Sequence, residues 1–148
     1  MADTRVQVEV EDWIRDEWMP ERFGRPFYRK RLPLESGGVF DFDAVSDDKT
    51  IAACISTSSK ITAGGKSGVG KLHKLRADML FLVMATGLSH RLMVLSEQDM
   101  YECCEKEKAS GRTPHGVEFF LATIPDGLRQ KLISSRKVAA DEVTRVKR

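Results

Sequence analysis

Between Phe40 and Ser56 the chain alternates strictly twice over, and little but a β-hairpin can follow from that. Phe40, Phe42 and Ala44 alternate with Asp41 and Asp43, and after the polar turn Asp47-Asp48-Lys49 the residues Ala53 and Ile55 alternate with Cys54 and Ser56. A period of two gives each strand one apolar and one polar face. The pattern predicts that Asp43, Cys54 and Ser56 share one face of adjacent strands, with Phe42 and Ile55 in the core on the other. Directly downstream, Lys60, Lys66, Lys71, Lys74 and Arg76 follow one another with no acid between them. That run is a candidate surface for a phosphate backbone.

Around the hairpin the order is helix, three strands in a meander, helix, strand, helix, strand, helix. Val10, Trp13, Ile14 and Trp18 fall at helical spacing, with Glu11, Asp12, Arg15 and Asp16 on the outer side and Pro20 as a stop. A first strand is expected from Phe27 towards Leu34, beyond which Pro33 forbids a helix and Gly37-Gly38 make a turn. Leu72, Leu75, Met79 and Leu82 mark the second helix, with Lys71, Lys74 and Asp78 on its wet side and Gly87 at its end. Arg91 to Leu95 reads as a buried strand, Ser96 to Lys108 as a helix, and Val117 to Ile124 as a strand. Pro125-Asp126 opens a last helix carrying Leu128, Leu132 and Ile133, and from about residue 136 to 148 a basic tail is expected to fray. Trp13, Trp18, Phe81, Phe119 and Phe120 are assigned to the core.

This makes an α/β protein: a central mixed sheet, three meander strands plus two more, flanked by helices. At 148 residues it fits a single domain spanning 1–148, large enough for a core without disulfides or metal staples. A formal charge of +2 names no partner by itself. The apolar run Met79 to Ala85 is too short to span a bilayer, and the first residues lack a signal-peptide core, so a cytoplasmic location and no membrane partner are expected. Cys54 and the adjacent Cys103-Cys104 show neither a disulfide framework nor zinc spacing. His73, His90 and His115 are dispersed and read as surface residues.

The element order, with Phe42-Asp43 late in one strand and a polar step on the next, resembles the core of the PD-(D/E)XK nuclease superfamily, the restriction-endonuclease-like fold. In that family an aspartate at the hairpin and a Glu-x-Lys on the following strand surround one or two magnesium ions. The resemblance implies that Asp43 is the metal-binding aspartate, while Cys54-Ile55-Ser56 occupies the place of Glu-x-Lys and supplies neither carboxylate nor cation. Cys54 and Ser56 are therefore degenerate motif positions. An active form would use Mg2+ or Mn2+, with Glu17 and one of the lysines, Lys71 foremost, beside Asp43 as catalytic residues. Otherwise no cofactor is implied.

Three functional readings follow. The first is a nuclease-like domain with a degenerate metal site that binds DNA or RNA weakly through Lys60, Lys66, Lys71, Lys74 and Arg76. The second is a non-catalytic module that assembles with a protein partner or as a homodimer. The third is a phosphate-binding loop at Gly65-Lys71, which fits G-x-x-x-x-G-K but has Leu72 where a magnesium-holding Ser or Thr belongs.

Overall fold

A computed structural model describes residues 4–60 and 69–146, with side chains through residue 138. The elements follow the expected order: α1 (Arg5–Trp13), a π-helical turn (Ile14–Trp18), α2 (Met19–Phe23), β1 (Phe27–Pro33), β2 (Val39–Ser46), β3 (Ile51–Ser56), α3 (Val69–Met84), β4 (His90–Leu95), α4 (Gln98–Ala109), β5 (Val117–Leu121) and α5 (Asp126–Val146). The strands form one sheet in the order β1-β2-β3-β4-β5. The meander pairs antiparallel, while β3, β4 and β5 run parallel. The chain is thus an α/β protein with a five-stranded mixed sheet flanked by helices.

Because β3, β4 and β5 advance in one direction across the sheet, their crossover helices α3 and α4 share a face. Leu75, Met79 and Leu82 of α3 and Met100 and Cys104 of α4 pack there with Phe42, Val45, Cys54 and Met93. The opposite face is covered by α1, its π turn and α5, whose Val10, Ile14 and Leu132 meet Ala44, Ala53, Ile55, Leu92 and Val94. Two buried faces explain why β4 is continuously apolar from Leu92 to Leu95.

Several sequence expectations need correction. Pro20 does not stop the first helix, which runs on to Phe23 and ends at Gly24 in the left-handed region, φ +74°. Proline breaks a helix by losing the bond to residue i−4, and here the preceding turn is already π-helical, with Met19 N–H bonded to Ile14 O. The widened turn also changes which side chains face inward, so Arg15, expected on the outer side, is buried. Phe42 does not share a face with Ile55. It packs beside Cys54, whereas Ile55 lies in the opposite cluster with Ala44 and Ala53.

The cause is a β-bulge. Tyr28 pairs with Val45 and Lys30 with Phe42, so Asp43 and Ala44 together oppose the single residue Arg29. An extra residue inverts the alternation for everything on one side of it. On α3, Asp78 is buried rather than wet, since it lies in the same stripe as Leu75, Met79 and Leu82. β5 ends at Leu121, short of Ile124. The last helix continues through residue 136 to Val146, and Arg136 is anchored to the body of the protein. Among the described residues no helix is long and apolar enough to cross a membrane.

Candidate functional site

The strand bulge and the π turn meet at Asp43. The last β2–β3 pairs are Ala44 with Ala53 and Val45 with Ala52; at Asp43 the side chain takes over, Oδ2 accepting from Ile55 N–H at 2.8 Å. From the helical side, Arg15 Nη1 donates to Asp43 O at 3.3 Å and to Glu11 Oε2 at 3.4 Å, while Nη2 binds Asp12. Bulges commonly re-aim a side chain beside a site, and π turns recur at functional positions. Both irregularities here hold the same aspartate.

The acids around Asp43 are poorly compensated. Burial pushes Glu11 above the usual carboxylate range, the Asp43 charge adds to this, and Arg29 and Arg15 oppose it. Asp78 is raised by burial and by Asp43, opposed by Lys74, whose Nζ lies 3.3 Å from Asp78 Oδ2. Cys54, 1% exposed, is raised well above the ordinary thiol value by burial, then by Asp78 and Asp43. It stays a neutral thiol. α3 therefore brings the Asp78 carboxylate into the field of Asp43, with the Lys74 ammonium bonded to Asp78, the same two chemical types that Cys54 and Ser56 lack.

Whether these groups suit a divalent ion depends on their donor chemistry. Magnesium needs several hard oxygens in near-octahedral array. One Asp43 oxygen is committed to Ile55 N–H, Asp78 is held by Lys74, and Cys54 is a protonated soft donor. Among the described residues no group of three or more His, Cys, Asp or Glu side chains could hold a metal ion. Among the described residues the donor set does not fit Mg2+ or Mn2+.

The other sequence candidates lie apart. Glu17 is exposed on the π turn, and its place near Asp43 is taken by Glu11, six residues earlier. Lys71 is half-buried on the first turn of α3. Burial lowers its pKa, as does Arg136, while Asp99 and Glu97 raise it. Lys71 thus belongs to a second cluster, at the carboxyl ends of β3 and β4. There Glu97, 6% exposed, receives Arg129 Nη1 at 2.7 Å and Arg136 Nη1 at 2.5 Å. Burial alone would raise Glu97, but its bonds from Arg136, Arg129 and Ser96 outweigh that and hold it below the usual range. Arg136 also donates to Thr57 O, and Asp99 Oδ2 receives Ser59 Oγ at 2.6 Å and Lys60 N–H at 3.0 Å.

Of the basic run, Lys74 is paired with Asp78, Arg76 with Glu107 at 3.2 Å, and Lys60 is tethered through its backbone to Asp99. Lys66, Gly65 and most of the proposed phosphate loop lie outside the described residues. Sequence reasoning missed Glu11, Arg15 and Asp78. Asp78 had a signal, since it lies three residues after Leu75 and four before Leu82, inside the apolar stripe. No protein-family model, curated protein or solved structure matches this chain.

Proposed function

We propose that the chain is a nuclease-like domain of the PD-(D/E)XK type whose metal site has degenerated, and that it binds DNA or RNA weakly and without sequence preference. What carries the reading is Asp43: a strand bulge and a π turn, each costly to keep in a regular element, converge on that aspartate at the opening of the β2–β3 hairpin. The helix, three-strand meander, helix, strand order around a mixed sheet is the arrangement that the resemblance implies.

Binding would run through Lys60, Lys66, Lys71, Lys74 and Arg76. Lys74 is 74% exposed, so its pair with Asp78 is weak enough to be exchanged for a phosphate. Phosphate contacts of this kind are independent of sequence. Catalysis is a separate question. Without a carboxylate and a cation at Cys54 and Ser56, hydrolysis lacks both a metal shell and a group to neutralise the developing phosphate charge. The test incubates duplex and single-stranded oligonucleotides with magnesium or manganese, comparing wild type with Asp43→Ala. No cleavage by either protein is expected. Cleavage by wild type that Asp43→Ala abolishes would show a working site and overturn the degenerate reading.

A further inference from the structure

Flanking the buried stripe of α3, Arg76, Leu80 and Val83 form an outward row beside Met79. Leu80 is 55% exposed and Val83 39%, large for aliphatic residues on a helix whose neighbours Met79 and Leu82 are buried. Arg112 and Pro114, from the turn between α4 and β5, make the facing wall, and Met79 forms the floor. The groove encloses about 420 Å³. A second hollow of about 400 Å³ shares Pro114 and continues past Lys108, Thr113 and His115.

The walls are preformed. Arg91 caps the carboxyl end of α3, donating to Leu82 O at 2.8 Å, Ala85 O at 3.0 Å and Leu88 O at 3.4 Å. The end of α4 is closed by Gly111 N–H to Lys108 O at 3.0 Å and Arg112 N–H to Glu107 O at 2.9 Å, with Gly111 at φ +76°. A groove whose walls are already hydrogen-bonded in place spends little ordering entropy on a ligand.

Its chemistry selects the occupant. The groove is open to solvent along Leu80 and Val83, whereas small-molecule sites bury most of their ligand. The lining residues include no aromatic ring on which a base could stack. A two-fold copy of this chain would set the patch against itself and bring the Arg76 and Arg112 guanidinium groups towards their own equivalents. Apolar side chains rimmed by two guanidinium groups, with Lys108, His115 and a single acid, Glu118, in the adjoining hollow, complement an apolar anchor flanked by carboxylates.

We propose that the groove between α3 and the α4–β5 turn docks an acidic peptide segment of a partner protein, with an aliphatic or aromatic anchor on Leu80 and Val83 and carboxylates on Arg76 and Arg112. Arg76 would exchange Glu107 for the peptide carboxylate, and Arg112 would meet it directly. The surface shares Arg76 with the proposed phosphate-binding run but includes neither Asp43 nor Lys74, and peptide binding at Leu80, Val83 and Arg112 does not require that nucleic acid binds.

The probes are short fluorescent peptides carrying one Leu or Phe flanked by Glu, with Gln-flanked and Lys-flanked versions of the same pattern. Anisotropy titration should show the Glu version binding about tenfold more tightly than the Gln version. Leu80→Asp should weaken all Glu-flanked binding, and Arg112→Glu should transfer preference to the Lys-flanked peptide. Both residues are at the surface, and unchanged thermal unfolding would establish that the fold is intact. Binding indifferent to peptide charge, absence of binding by every Glu-flanked peptide, or self-association that Leu80→Asp abolishes would each overturn the proposal.

Discussion

Around Glu97 two arginines of α5 converge on one carboxylate, whereas around Asp43 the charges of Glu11, Asp78 and Asp43 itself crowd together and are answered by the partly committed Arg15, Arg29 and Lys74. Both clusters join the sheet to helices, and both contain buried acids. They differ in sign. Glu97 is held below the usual carboxylate range because its hydrogen bonds more than offset burial. Glu11 and Asp78 are pushed above it because burial and the neighbouring Asp43 outweigh their cations. A cluster that lowers the energy of its charged form is a structural device. One that raises it works against stability, and such arrangements concentrate at functional sites.

The largest effect that would break this contrast is at Glu97. Glu97→Ala leaves Arg129 and Arg136 facing each other without an anion, and removing one partner of a buried pair costs about 3–5 kcal/mol. Because those arginine side chains are 30% and 28% exposed, water softens the loss, and urea unfolding should report about 3 kcal/mol, near the lower end of that range. A loss no larger than that of an ordinary surface substitution would remove the structural role assigned to this cluster.

A smaller effect of opposite sign is expected at Asp78. Its folded-state pKa is raised above the reference of 3.8, so its contribution to stability is full below that value and is lost as pH rises through the raised one. Glu97, lowered from 4.5, contributes above its unfolded value and loses that contribution as pH falls through its folded one. Asp78→Asn should therefore match wild type near about pH 4 and exceed it modestly near about pH 7. Loss of the pair with the exposed Lys74 costs at most about 1 kcal/mol against this gain. Unfolding midpoints at the two pH values provide the check, and a destabilised variant near neutrality would place Asp78 with Glu97 instead.

What the sequence made legible, and what it hid, divides along the same line. The meander, the three later helices and the parallel strands follow from periods of 2 and 3.6 within single elements, as in Leu75, Met79 and Leu82. The bulge at Asp43 and the π turn before Pro20 each insert one residue into an otherwise regular pattern, and only contacts between distant elements decide where the insertion falls. Arg136 was equally hidden, since its value lies in Glu97, 39 residues away. Asp78 was legible and misread: a charged residue inside an apolar stripe was assigned by its type when its spacing pointed inward.

The central claim, that the Asp43 end of α3 is a surface for nucleic-acid phosphate, is tested most directly by titrating a fluorescent duplex at several salt concentrations with wild type, Lys74→Ala and Lys131→Ala. Lys131 is an exposed cation of α5 that lies 3.3 Å from Glu9, on the other side of the sheet. Wild type should bind with a dissociation constant of about 10⁻⁴ to 10⁻⁶ M at physiological salt, weakening linearly with log salt concentration. Lys74→Ala should reduce that slope by about 1, and Lys131→Ala should leave it unchanged. No binding even at low ionic strength, or a slope that responds to Lys131→Ala and not to Lys74→Ala, would contradict the account.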